Sequence, residues 1–177
     1  MNTIEATYQI TLSDFRKATY YGLSLRYQRN LSIMFFVLLI GLFYTIAAFF
    51  GLWELKMLIP FIVVAYLIWL LLLFARAESG IKKYLKAPKN TIGKQHKTTL
   101  DANRVHIQIP ECKVNTTYSI DKLACVFELK TLFLIYISMQ DLYILPKRAL
   151  EDRESGFLRE NFKAQLGERF YTRFGSK

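Results

Sequence analysis

Two stretches of this chain carry no Asp, Glu, Lys, Arg or His, and they constrain its fold more than anything else in it. The first runs from Leu31 to Trp53, 23 positions, and the second from Met57 to Ala75, 19 positions. As helices at 1.5 Å per residue they would reach about 34 Å and about 28 Å, against a hydrocarbon core of ~30 Å. They are too long and too apolar for ordinary core helices, and the first starts too far into the chain for a signal peptide. Only Gly51–Lys56 separates them, which forces two antiparallel neighbours. A two-helix transmembrane hairpin over 31–75 is expected, with spans at 31–53 and 57–75. Trp53, Tyr20, Tyr21 and Tyr27 suit the aromatic belts at its interfaces.

Charge orients the hairpin. Arg16, Lys17, Arg26 and Arg29 precede it, and Arg76, Lys82, Lys83, Lys86, Lys89, Lys94 and Lys97 follow it. The turn offers only Glu54 and Lys56. The positive-inside rule then places both termini on the cytoplasmic side of the cell membrane. With no ionisable group of the kind that relays protons or binds ions, the hairpin reads as an anchor, not a conduit. Gly41 with Thr45, or Ala47 with Gly51, gives small-residue spacing for close helix contact. Pro60 falls near the start of the second span, where a first-turn proline is tolerated.

The flanking segments divide into three. Residues 1–30 read as a short strand, Tyr8–Leu12, then an amphipathic helix opened by Ser13 and Asp14, with Phe15, Thr19, Leu23 and Tyr27 at helical spacing. This helix could continue into the first span, and it either lies in the membrane interface or packs on the C-terminal domain. Residues 76–97 form a basic connector whose helix stops at Pro88. Residues 98–177 form a β domain. Strands are expected at 98–100, 105–109, 114–120, 125–129, 132–138 and 142–145, with Pro146 closing the last and turns at 101–103 and 139–141. Leu158, Phe162, Leu166 and Phe170 then mark an amphipathic helix capped by Ser155 or an acid just before it. The fold class is thus a membrane protein of α+β type, a small antiparallel β domain closed by a C-terminal helix.

Tyr8–Phe15 (Tyr-x-Ile-Thr-Leu-Ser-Asp-Phe), the Thr99-Leu100-Asp101 and Tyr118-Ser119-Ile120 strand segments, and Leu142–Leu150 with its Ile-Leu-Pro-Lys-Arg-Ala core together resemble the YcxB-like family of bacterial membrane proteins. The resemblance spans nearly the whole chain. It departs at Tyr118, near which similar proteins often carry Trp. The resemblance implies a pleckstrin-homology-like domain, a curled antiparallel sheet closed by a C-terminal helix. It brings no reaction, substrate or cofactor.

No P-loop, GxGxxG, HExxH or GxSxG motif occurs. His96 and His106 stand apart from any Cys or carboxylate cluster and read as ordinary connector and strand residues. Cys112 and Cys125, facing the cytoplasm, are expected as free thiols. Asn115-Thr116-Thr117 matches the glycosylation pattern but has no meaning in a cytoplasmic bacterial segment. The formal charge is +10, and beside a membrane the nearest anionic partner is lipid. Lys82, Lys83 and Lys86 on the connector helix, with Lys147 and Arg148 after the last strand, are the candidate contacts for anionic headgroups or a partner protein. No catalytic residue, metal, cofactor, small-molecule substrate or nucleic-acid partner is expected. The chain reads as a non-enzymatic, membrane-anchored interaction or regulatory protein, the alternative being an accessory subunit of a transport or envelope assembly.

Overall fold

Alternation with period two organises the first sheet. The computed structural model describes residues 3–51, 58–138 and 141–173. In β1 (Ile4–Gln9), Ile4, Ala6 and Tyr8 are buried while Glu5, Thr7 and Gln9 face solvent. β2 (Gln95–Leu100) turns His96, Thr98 and Leu100 inward, and β3 (Arg104–Ile109) turns in Val105, Ile107 and Ile109. β4 (Val114–Ser119) completes an antiparallel sheet in the order β1-β2-β3-β4. Polar groups on the inner face find partners nearby, with His96 Nε2 3.1 Å from the Thr91 carbonyl. Tyr8 and Thr98 share a hydrogen bond of 3.1 Å, and the Tyr8 ring stacks on His96 at 5.4 Å.

The first strand precedes the helices in the chain, and the second follows them. β1 and β2 pair over six positions, from Ile4 opposite Leu100 to Gln9 opposite Gln95. The chain comes back beside its own start at Gly93, whose amide donates to the Ile10 carbonyl at 2.9 Å. Gly93 has φ +76, a left-handed conformation that glycine adopts without steric cost. One compact unit therefore combines the residues up to Ala18 with those from Pro88 onward, and Thr19–Ala87 form a second unit.

A second sheet, in the order β7-β6-β5-β8, combines β5 (Cys125–Glu128), β6 (Leu132–Tyr136), β7 (Leu142–Pro146) and β8 (Phe170–Thr172). Leu132 to Ile135 are all buried, as the continuous apolar run of six demands of a strand covered on both faces. The helix α3 (Asp152–Leu166) buries Leu158, Phe162 and Leu166, and the Phe162 ring lies 6.2 Å from that of Phe133. Glu151 caps it, with Glu154 returning the bond to the Glu151 amide. The cap is thus the acid, not Ser155.

Several expectations shift. The N-terminal strand lies at Ile4–Gln9 and not at 8–12. The helix that follows, α1 (Leu12–Phe49), is capped by Thr11 and not Ser13. Asp14 N donates to Thr11 Oγ1 at 3.2 Å and Thr11 N donates to Asp14 Oδ2 at 3.0 Å, the reciprocal pairing of a capping box. Gln95, His96 and Lys97 belong to β2, so His96 is a buried strand residue and not part of a solvated connector. Burial pushes its imidazole below the ordinary value. Phe170 lies in β8, parallel to β5, and not on the C-terminal helix.

In the second unit α1 continues without a break to Phe49, and α2 (Leu58–Leu85) ends just before Pro88. Tyr20 on α1 donates to Glu78 Oε1 on α2 at 2.6 Å, and its ring meets Phe74 edge-on at 5.8 Å. Phe36, Ile40, Phe43, Leu71 and Leu72 are all exposed. Among the described residues one helix, Val63–Leu85, is long and apolar enough to cross a membrane, and Phe35–Phe49 is a shorter apolar stretch. The turn residues Trp53, Glu54 and Lys56, together with Met139 and Gln140, lie outside the described residues. So do the side chains of Arg26, Tyr27, Arg29 and Pro60.

Candidate functional site

Lys147 and Arg148 follow β7 directly, and adjacent residues there point to different places. Lys147 Nζ lies 2.6 Å from Glu128 Oε1 and 4.9 Å from the centre of the Phe133 ring. Glu128, fully buried on β5, also accepts two bonds of 2.8 Å from Nε and Nη2 of Arg159 on α3. Burial alone would raise this carboxyl, but the hydrogen bonds from Arg159 and Lys147 outweigh it and hold its pKa below the usual value. Such a buried cluster is stable only while each charge keeps its partner.

Arg148 makes a second fork. Its guanidinium donates to both carboxylate oxygens of Asp14, at 2.9 and 2.6 Å, and to the Gln9 carbonyl at 2.9 Å. Burial would again raise the Asp14 carboxyl, and the bonds from Arg148 and Thr11 bring it down to about 2. The bidentate geometry is that of a strong charge-assisted pair. It ties the end of β1 and the first turn of α1 to the turn between β7 and α3. Both candidate cations are therefore engaged within the domain.

Lys82, Lys83 and Lys86 are exposed at the C-terminal end of α2 and just beyond it, where the helix dipole favours positive charge. They belong to the second unit, while Lys147 and Arg148 belong to the first.

A cavity of about 360 Å³ is lined by Arg104, Thr117, Tyr118, Ser119, Lys122, Leu123 and Ile137. Arg104 opens β3 directly opposite Ser119, which closes β4. Past Ser119 the chain makes a 3-10 turn over Ile120–Lys122, pinned by the fully buried Ile120. Arg169 fixes this turn from behind, donating to the carbonyls of Leu123 at 2.7 Å and Asp121 at 2.9 Å. The Ser119 hydroxyl holds Asp121, whose carboxyl is lowered first by that bond and further by Lys122. Arg104 has no side-chain partner among the described residues. Eighteen positions apart in sequence, Arg104 and Lys122 had no shared signal; the β3–β4 register brings them to one rim. The rim combines cations and hydroxyls with an apolar wall, which suits binding more than covalent chemistry.

No group of three or more His, Cys, Asp or Glu residues is placed to hold a metal ion among the described residues. Cys112 and Cys125 are free thiols, with Lys94 Nζ 3.2 Å from Cys112 Sγ. Comparison with protein-family models, with curated proteins and with solved structures finds no match.

Proposed function

We propose that this chain is a membrane-anchored interaction protein of the YcxB-like kind: a two-span helical hairpin holds a pleckstrin-homology-like domain at the cytoplasmic face, and the domain binds rather than catalyses. The observation that carries the reading is the pairing of β1 with β2 across the helical insertion. Strands that share hydrogen bonds lie on one side of a membrane, so the chain between them crosses an even number of times. One crossing by α2 alone is incompatible with that sheet. Two crossings agree with the lengths of α1 and α2, 38 and 28 residues, which at 1.5 Å per residue exceed a core of ~30 Å. The exposed Phe, Leu and Ile side chains of both helices agree with a lipid surround, and the basic flanks favour the cytoplasmic side. Two four-stranded sheets with a C-terminal helix support the domain assignment.

Single-cysteine labelling in intact bacterial cells tests this. With Cys112 and Cys125 changed to serine, Glu54→Cys reacts with a membrane-impermeant maleimide from outside. Glu5→Cys and Lys97→Cys react only after permeabilisation. Labelling of residue 5 and residue 97 from opposite sides, or recovery of the protein in the soluble fraction, rules the reading out.

A further inference from the structure

Sheet edges are normally blunted by charge, proline, brevity or cover. Among the described residues, three of the four edges are. β8 has only three residues, β7 closes on Pro146, and β1 carries Glu5, 3.8 Å from Lys97, over an inner row that is fully buried. β4 has none of these devices. Val-Asn-Thr-Thr-Tyr-Ser contains neither charge nor proline and is rich in strand-forming residues. None of its six residues is fully buried, although Val114, Thr116 and Tyr118 alternate onto the inner face. β7 does not pair with β4, although the Tyr118 and Tyr143 rings lie 6.2 Å apart.

The register shows which backbone groups this edge offers. The Ile120 amide donates to the Asn103 carbonyl at 2.9 Å, so position 120 faces β3. In an antiparallel pair the bonding direction alternates residue by residue. Asn115, Thr117 and Ser119 therefore point their N–H and C=O groups away from β3, to the open edge. The cavity with Arg104 and Lys122 lies beside the last of them.

We propose that β4 is the docking edge for an extended acidic peptide segment of a partner protein, which adds as a fifth strand and sets a carboxylate against Arg104 and Lys122. Main-chain hydrogen bonds to Asn115, Thr117 and Ser119 supply affinity, and the charged rim supplies direction and selectivity. Asp121 neutralises part of the Lys122 charge, so Arg104 carries most of the preference. The inference rests on the reading of the domain as an interaction module and names its partner class.

Selection from a random peptide library against the purified full chain in detergent micelles tests it. Enriched peptides should alternate β-branched or aromatic residues with polar ones and carry Asp or Glu near one end. Thr117→Pro, which removes one outward amide and no backbone bond to β3, should weaken them about tenfold or more, whereas Thr117→Val, which loses only the hydroxyl contact with His106 Nδ1 at 2.7 Å, should not. Arg104→Glu with Lys122→Glu should turn the selection toward Lys and Arg. Unchanged hydrogen exchange in β2 and β3 shows that the variants are folded. Peptides that bind Thr117→Pro as tightly overturn the edge site while leaving an interaction module in place; failure to enrich any peptide counts against both. A dimer that Thr117→Pro dissociates gives the edge to a second copy and overturns the acidic-peptide assignment.

Discussion

Deleting residues 1–11 unfolds the C-terminal domain, although the deletion lies more than eighty residues from its second strand. Ile4, Tyr8 and Ile10 are all buried in the domain core. At about 1.5–3 kcal/mol per large buried side chain their loss costs roughly 5–9 kcal/mol as an upper figure. That is comparable with the whole stability of a small domain, about 5–15 kcal/mol. Leu100, His96 and Thr98 on β2 also lose their neighbours, and Arg148 loses the Gln9 carbonyl. Hydrogen exchange of the truncated chain in micelles should show β2 to β4 unprotected. Conversely, residues 1–18 joined by about twelve Gly/Ser residues, a reach of roughly 19 Å, to residues 88–177 should give a folded, soluble domain. A protected domain in the truncated chain contradicts this.

The second large effect concerns Glu128. Lys147→Met with Arg159→Met leaves a fully buried carboxylate without a counter-charge, a loss of about 3–5 kcal/mol. Adding Glu128→Met replaces the whole cluster with apolar side chains and should recover most of that loss. The pH dependence reverses as well. In the native protein the folded-state pKa of Glu128 is depressed, because the Arg159 and Lys147 bonds outweigh burial. Its contribution is present above the unfolded carboxylate pKa and is lost as pH falls through the folded one. In the double variant burial acts alone and raises the folded pKa. That variant is then most stable below the unfolded pKa and loses stability as pH rises. Denaturation of the linked soluble domain between neutral and acid pH reads both effects. Small additive losses, or the same sign of pH dependence in both proteins, would show that the cluster is not a unit.

Much of the domain was legible locally. Turn residues at Asp101–Asn103 and the alternation of 105–109 gave the β2–β3 hairpin, and the apolar run at 132–137 gave a doubly covered strand. The acid at Glu151 was among the expected caps. What failed was long-range or depended on a single backbone angle. Nothing in Ile4–Gln9 announces that its partner lies eighty-six or more positions away. Leu166 to Phe170 keeps the helical spacing of four, yet Gly167 at φ +54 ends the helix and sends Phe170 beside Val126. A glycine there is an ordinary helix-stop signal, and the hydrophobic period obscured it. Lys147 and Arg148 read as candidate headgroup or partner contacts because their actual partners, Glu128 and Asp14, are set by the tertiary fold. Arg104 and Lys122 were invisible for the same reason, since only strand register makes them neighbours.

The discontinuous sheet carries the fold, and the proposed two crossings rest on it; a disulfide tests the pairing in isolated membranes. Thr7 and Lys97 are directly opposed and exposed. The Asp101 amide donates to the Arg104 carbonyl, which turns the odd positions of β2 toward β3 and makes Thr7–Lys97 a non-hydrogen-bonded pair. Such pairs have Cα atoms about 4.5 Å apart, within disulfide range. In a chain with Cys112 and Cys125 changed to serine, Thr7→Cys and Lys97→Cys should oxidise to an intramolecular bond in isolated membranes. After solubilisation and cleavage at a protease site placed at residue 54, the two halves should migrate together until reductant is added. Halves that separate without reductant would mean that β1 and β2 do not pair in the membrane fraction, and the proposed two-span hairpin would lose its basis.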